Sequence, residues 1–128
     1  MDLLTIATIR VSSVLNRDAK SYGKKYLNDG NMETCWNSDQ GTGQWILLEF
    51  SAPVKPTQLS IMFQGGFAGK NCELIADQSK LCDFYPDDVN TLQQFPIQLE
   101  TEITKLKILF HDSTDFYGRV TIYHLGLQ

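Results

Sequence analysis

Three short stretches of this chain alternate apolar and polar side chains with a period of two. Ile46, Leu48 and Phe50 share one side of Gln44–Phe50; Leu59, Ile61 and Phe63 share one side of Gln58–Phe63; Leu106, Ile108 and Phe110 share one side of Lys105–Phe110. Successive side chains of a strand point to opposite faces, so this alternation prescribes sheets with one face on a core. Ile9–Leu15 and Phe95–Leu99 read as further strands. Val120–Leu127 changes phase, with Val120 and Ile122 on one side and Leu125 and Leu127 on the other. One extra residue near Tyr123–His124 would do this, which predicts a bulge or kink there. Turn residues stand between these stretches: Asn28-Asp29-Gly30-Asn31, Gly41-Thr42-Gly43, Ala52-Pro53, Gly65-Gly66 and Pro86-Asp87-Asp88. No segment of ordinary helix length carries a helical period, although a short helical turn around Tyr22–Leu27 is compatible with the pattern. Many short strands separated by turn signals predict an all-β, antiparallel sandwich, with residues 1–128 forming one domain.

Charge narrows the function classes. The chain of 128 residues carries 11 Lys and Arg against 15 Asp and Glu, a net charge of -4. That leaves no overall cationic excess to neutralise phosphates, so direct nucleic-acid binding is not expected, and it opposes approach to anionic lipid. No stretch approaches the ~20 apolar residues of a membrane span. Cys35, Cys72 and Cys82 are odd in number and form no Cys-x-x-Cys pair. They make a poor disulfide framework and a thin supply of zinc ligands, and read as free thiols of a reducing compartment. The first residues, Met1-Asp2-Leu3-Leu4-Thr5-Ile6-Ala7, lack the basic start of a secretory leader, so nucleus and cytoplasm are the expected locations.

Four segments hold the residue types of a site. Asp29, Asn31, Glu33 and Thr34 put oxygen-bearing side chains on a Gly-containing loop; they suit either a hard cation, which takes six to eight oxygens, or capping of the loop's own amides. His111-Asp112-Ser113-Thr114-Asp115 contains acid–base and nucleophile types, but neighbours on one loop rarely point at one another, so no nucleophile–base–orienter set is expected. The run continues into Phe116-Tyr117-Gly118-Arg119, and aromatics beside Arg suit an interface. Gln64-Gly65-Gly66-Phe67-Ala68-Gly69-Lys70 lacks a phosphate loop's ending and reads as a hairpin loop that presents Phe67. Cys82-Asp83-Phe84-Tyr85-Pro86-Asp87-Asp88 is an acidic, aromatic turn.

Asn28-Asp29-Gly30, Glu33-Thr34, Trp36, Gln44-Trp45 and the alternating strand ending in Glu49-Phe50 together resemble the discoidin superfamily, the factor V/VIII type C or galactose-binding-like domains. The likeness covers nearly the whole chain, with Ile61–Gly65, Lys105–Phe110 and Arg119–Leu127 resembling its later strands. It implies an eight-stranded jelly-roll sandwich. No cysteine lies near either end, where secreted members usually carry a disulfide. The similarity is greater to an intracellular member, through Arg10–Arg17, Glu33–Gly41, Phe63–Phe67, Asp83–Pro86 and Asp115-Phe116 with Gly118-Arg119-Val120. That resemblance implies a non-enzymatic protein-interaction module, a co-regulator that binds an orphan nuclear receptor and dampens its transcriptional activity.

In the superfamily the Asp-Gly loop often holds a structural calcium; Asp29 and Thr34 match those ligand positions, while the closing strand offers His124 where many members have Glu. The loops Asn16–Tyr26, Trp36–Gly43, Gln64–Asn71 and Asp115–Arg119 are expected to meet at one end. The expected partner-binding set is Asp39, Gln64, Phe67, Phe116, Tyr117 and Arg119, with Asp39 and Arg119 close enough to pair and Phe67 and Phe116 flanking them. The alternative is a glycan-binding, lectin-like site drawn from Tyr22, Asn37, Asp39, Gln64 and Arg119.

Overall fold

The computed structural model describes residues 2–128. The period-two stretches are strands of two antiparallel sheets packed face to face. The first sheet has the order β1-β3-β8-β5-β6, from Ala7–Val11 (β1), Gln44–Val54 (β3), Ile103–Ser113 (β8), Gly69–Ala76 (β5) and Ser79–Phe84 (β6). The second has the order β2-β9-β4-β7, from Trp36–Asn37 (β2), Thr121–Leu127 (β9), Gln58–Phe63 (β4) and Leu92–Pro96 (β7). Among the described residues the strands number nine rather than the expected eight, counting the two-residue β2. Among the described residues helix is confined to the four-residue α1 (Ala19–Tyr22) and 3₁₀ turns at Leu3–Ile6, Leu15–Arg17 and Lys24–Leu27.

The core lies between the sheets, and the alternation places it. Ile46, Leu48, Leu106, Ile108 and Phe110 of the first sheet are buried against Leu59, Ile61 and Phe63 of the second. Phe63 and Phe110 meet edge to face across the gap, 6.0 Å between ring centres, a geometry that suits the aromatic quadrupole. Trp36 is fully buried, and its indole N–H donates to the Ser13 carbonyl at 3.0 Å. The chain ends are adjacent, because one Asp2 carboxylate oxygen accepts the amides of Leu4 (3.0 Å) and Leu127 (3.1 Å).

The phase change in β9 is a bulge. Met62 of β4 sits opposite His124 and Phe63 opposite Ile122, so Tyr123 is the unopposed residue. The extra residue rotates the second half of the strand by one position, and Val120, Ile122, Leu125 and Leu127 all reach the core.

Three expectations shift. The first strand ends at Val11 rather than Leu15, because Ser12 and Ser13 turn their hydroxyls onto the Gln44 side-chain oxygen, at 2.6 and 2.7 Å. The late strand is Leu92–Pro96 rather than Phe95–Leu99; Pro96 sits on a sheet edge, where its missing N–H costs no ladder bond. The β5–β6 hairpin was not expected. It turns at Asp77, in the left-handed region with φ 53°, and its register slips after Leu74, which hides the alternation of β6.

Candidate functional site

At one end of the sandwich the loops 38–43, 64–68, 86–90 and 114–120 are laced together by backbone groups and short polar side chains. Ser38 donates its amide to the Val120 carbonyl (2.9 Å) and takes the Val120 amide on its hydroxyl (2.8 Å). The Gly41 amide donates to the Tyr117 carbonyl (2.8 Å) and the Thr121 amide to the Phe67 carbonyl (3.0 Å). Asn90 accepts the Gly65 amide and Asp88 the Gly66 amide. The expected meeting of the loops after Trp36, after Phe63 and around Asp115–Arg119 is therefore present. The fourth, Asn16–Tyr26, is not laced into it: its hydrogen bonds stay within residues 14–26.

Arg119 is the centre of this end. Its guanidinium makes a two-pronged contact with Asp115, Nε to Oδ2 at 2.9 Å and a terminal nitrogen to Oδ1 at 3.2 Å, and its own amide also donates to Oδ2. The hydrogen bond from Arg119 holds the Asp115 carboxyl below the usual carboxylate value, outweighing the opposing effect of burial. The guanidinium carbon lies 5.1 Å from the Phe67 ring centre and 5.6 Å from that of Tyr117, within cation–π range of both. Asp115 fixes the fork and both rings lie against the guanidinium, an arrangement that holds Arg in one orientation. Phe116 stands out of the surface at 92% exposure, edge-on to the half-exposed Tyr117 ring, 5.2 Å between centres.

The expected Asp39–Arg119 pair is thus corrected: the partner of Arg119 is Asp115. Asp39 is held elsewhere, its amide taken by the Ser13 hydroxyl and its carboxylate capping the Gln40 amide, both at 2.9 Å. Phe67 is half-buried beneath the guanidinium rather than presented as an anchor. Gln64 sits at the strand–loop junction, its amide donating to the Thr121 carbonyl and its carbonyl accepting from Phe67. Phe116, Tyr117 and Arg119 lie on one turn; Gln64 is tied beside it through Thr121 and Phe67, while the loop that carries Asp39 reaches it through Ser38 and Gly41. Sequence reasoning passed over Asp115 as a partner. The available signal was Asp115 and Arg119 bracketing Gly118, whose φ of +84° folds the segment back on itself. Of the residues considered for a sugar, Asn37 lies in the β2–β9 ladder with its side-chain oxygen buried and unpartnered, and Tyr22 belongs to the separate 14–26 segment.

The Asp29 loop lies apart from this end. Asp29 accepts the Asn31 amide (3.0 Å) on one oxygen and the Thr34 hydroxyl on the other, and Asn31 in turn caps the Glu33 amide (2.9 Å). Burial acts to raise the Asp29 carboxyl, but hydrogen bonds from Thr34 and the Asn31 amide, with a smaller contribution from His124, hold it below the usual value. The structure thus brings the two residues assigned to calcium together, in direct contact with each other. As a donor set for the ion it is short of charge. Both Asp29 oxygens are engaged, Glu33 is the loop's other carboxylate and is exposed, and among the described residues no group of three or more His, Cys, Asp or Glu could hold a metal.

All three cysteines are free thiols, Cys72 buried and Cys35 and Cys82 half-buried. Burial pushes the Cys72 thiol up to about 12 and raises the other two, so none is poised as a nucleophile.

No family model matches the chain. A protein of Danio rerio named Nuclear receptor 2C2-associated protein is 52% identical over 123 residues, covering 92% of this chain and 87% of its own. The protein of that name from Homo sapiens is 53% identical over 121 residues, covering 91% and 86%. Among solved structures, a family 32 carbohydrate-binding module of Clostridium perfringens, in complex with GalNAc-β-1,3-galactose, superposes with a TM-score of 0.79 at 17% identity over 99% of both chains. An F5/8 type C domain of Bacteroides fragilis gives 0.80 at 16% identity, over 96% of this chain and 91% of that one. The structural likenesses establish the fold as that of the discoidin-type, F5/8 type C domains.

Proposed function

Because the chain belongs to the nuclear receptor 2C2-associated protein family, we propose that it is a non-enzymatic interaction module. In this reading it binds an orphan nuclear receptor through the loop end of its sandwich, represses the receptor's transcriptional activity, and does so in the nucleus while also residing in the cytoplasm. The observation that carries the reading is the Phe116–Tyr117–Arg119 group. An almost fully exposed phenylalanine beside a pre-set guanidinium, on loops fixed by a rigid sheet scaffold, supplies the aromatic and Arg anchors that dominate protein interfaces.

The test is affinity for the purified ligand-binding domain of nuclear receptor 2C2, corrected for folded fraction. Phe116→Ala and Arg119→Ala are each expected to weaken binding by ~2 kcal/mol or more, as hot-spot truncations do, with melting temperature nearly unchanged for Phe116→Ala. Unchanged affinity in both variants would place the receptor elsewhere.

A glycan-binding reading is favoured by the same aromatic–arginine geometry, since a sugar site needs an aromatic platform and a few fixed polar groups. Titration with galactose and a glycan array separates the two. Sugar binding lost in Arg119→Ala, with no receptor affinity in the wild type, would replace the interaction reading.

A further inference from the structure

The net charge of -4 conceals a strong segregation. Residues 10–25 hold five cations, Arg10, Arg17, Lys20, Lys24 and Lys25, against the single acid Asp18. The rest of the chain holds six cations against 14 acids. Asp18 is engaged in capping the α1 turn, accepting the Ser21 amide at 3.2 Å, and Arg10 is paired with Glu49 at 2.9 Å. Arg17, Lys20, Lys24 and Lys25 have no ion-pair partner among the described residues.

Arg10 and the three lysines line two open hollows that share Ala19 and Lys24. The larger, about 490 Å³, has an apolar floor of Val11, Val14, Ala19 and the half-buried Trp45, with Arg10 and Lys24 on its rim. The second adds Lys20 and Lys25. No acidic residue lines either one. Lys107 extends the positive field from the neighbouring strand, its ammonium 5.2 Å from the Trp45 ring centre.

We propose that this flank is a second docking surface, built for an acidic peptide segment that carries an apolar side chain. The unpaired lysines attract and orient the acidic residues, and the apolar residue enters the Val11–Val14–Trp45 hollow, whose volume is that of a small-ligand site. Complementary charge selects the occupant. A nucleic acid or an anionic bilayer presents negative charge over a long span and would meet the acidic remainder of the chain. A short acidic segment meets only this pole. The apolar floor also has no role for a purely phosphate ligand. The surface is distinct from the loop end: the two touch where the Ser13 hydroxyl, between Val11 and Val14 of the floor, takes the Asp39 amide, but among the described residues no hydrogen bond joins the lysine-bearing segment 16–26 to that end.

The test uses a short fluorescein-labelled peptide of alternating Asp and Glu with a central Leu-Phe pair, titrated by fluorescence anisotropy against the full chain. Wild type is expected to bind, and raising salt from about 0.05 to about 0.3 M should weaken it. Lys20→Glu with Lys24→Glu should weaken binding by about tenfold or more, whereas Lys20→Arg with Lys24→Arg should retain it. Replacing the Leu-Phe pair of the peptide by Ala should also cost about tenfold. Both double variants change exposed side chains, and matched melting curves exclude unfolding as the cause. Phe116→Ala should bind the peptide as wild type does; a loss there would move the peptide to the loop end and overturn the proposal. It is equally overturned if the peptide does not bind, if charge reversal has no effect, if the Ala-substituted peptide binds as well, or if duplex DNA or phosphatidylserine vesicles bind more tightly than the peptide.

Discussion

Two loops of this molecule are built with the same device and end in opposite states. In the Asp29 loop and in the 113–120 loop, an aspartate accepts a backbone amide a few residues on, accepts a side-chain donor on the same loop, and is followed by a glycine at positive φ, Gly30 at +74° and Gly118 at +84°. In the first the side-chain donor is a neutral hydroxyl, and the loop consumes its own polar groups. In the second the donor is a guanidinium that aromatic rings also contact, and closing the turn expels Phe116 into solvent. The aspartate closes the loop in both cases. Whether the loop is then finished or available to a partner depends on what stands beside the donor.

The two glycines break the symmetry hardest. A Cβ on Gly118 would stand 2.7 Å from the Gly41 backbone, with no flexible side chain to give way, whereas a Cβ on Gly30 would meet nothing within 4 Å. Gly118→Ala is therefore expected to cost about 3 kcal/mol of stability, from left-handed strain together with displacement of the 38–43 loop. Gly30→Ala should cost only the left-handed strain of ~1–2 kcal/mol. Urea unfolding of both variants measures the difference. Equal costs would mean that the loops at the sandwich end are not locked together as described.

Removing each aspartate sharpens the contrast between stability and binding. Asp29→Ala should lower stability by ~1–2 kcal/mol as a lost cap and leave receptor affinity alone. Asp115→Ala should cost a similar amount and also weaken receptor binding, because the Arg119 fork loses its fixed orientation. The same Asp29 variant tests calcium. An ion that binds the folded state alone must raise the melting temperature of wild type and not of Asp29→Ala. With both Asp29 oxygens engaged inside the loop and Glu33 exposed, wild type is expected to melt equally in calcium and in chelator.

The two loops were not equally legible. Asp29 with Thr34 was readable because a Gly-containing turn rich in Asx and Thr side chains caps itself locally, and such bonds need only sequence proximity. The partner of Arg119 was not, since within a loop the spacing alone does not say which side chains meet; the reversal at Gly118 decides it. The strands β3, β4 and β8 were plain from their alternation, and the β9 bulge from its broken phase. The β5–β6 hairpin was hidden by a register slip that leaves Leu81 unopposed. The cationic flank was present in the residue order from the start, and averaging charge over the whole chain cancelled it.

The smallest expected effect separates the loops by the kind of donor each aspartate uses. Both carboxyls titrate below their usual value in the folded protein, Asp115 through its hydrogen bond to Arg119 and Asp29 through neutral donors that overcome the opposing effect of burial. A carboxyl depressed on folding contributes stability that is present above its unfolded value, about 3.9, and is lost as pH falls through the lower folded value. Melting temperature should therefore hold from pH 7 to about 4.5 and then decline, and Asp115→Asn and Asp29→Asn should each flatten part of the decline. Salt then discriminates. The Asp115–Arg119 contribution, under about 1 kcal/mol for a pair that remains partly open to solvent, is Coulombic in part and should shrink when salt rises to about 0.5 M. The Asp29 contribution rests mostly on neutral donors and should persist. If salt reduced the two equally, the charge of Arg119 would not be what holds Asp115, and the loop end would lose the pre-set fork on which its role as a binding surface depends.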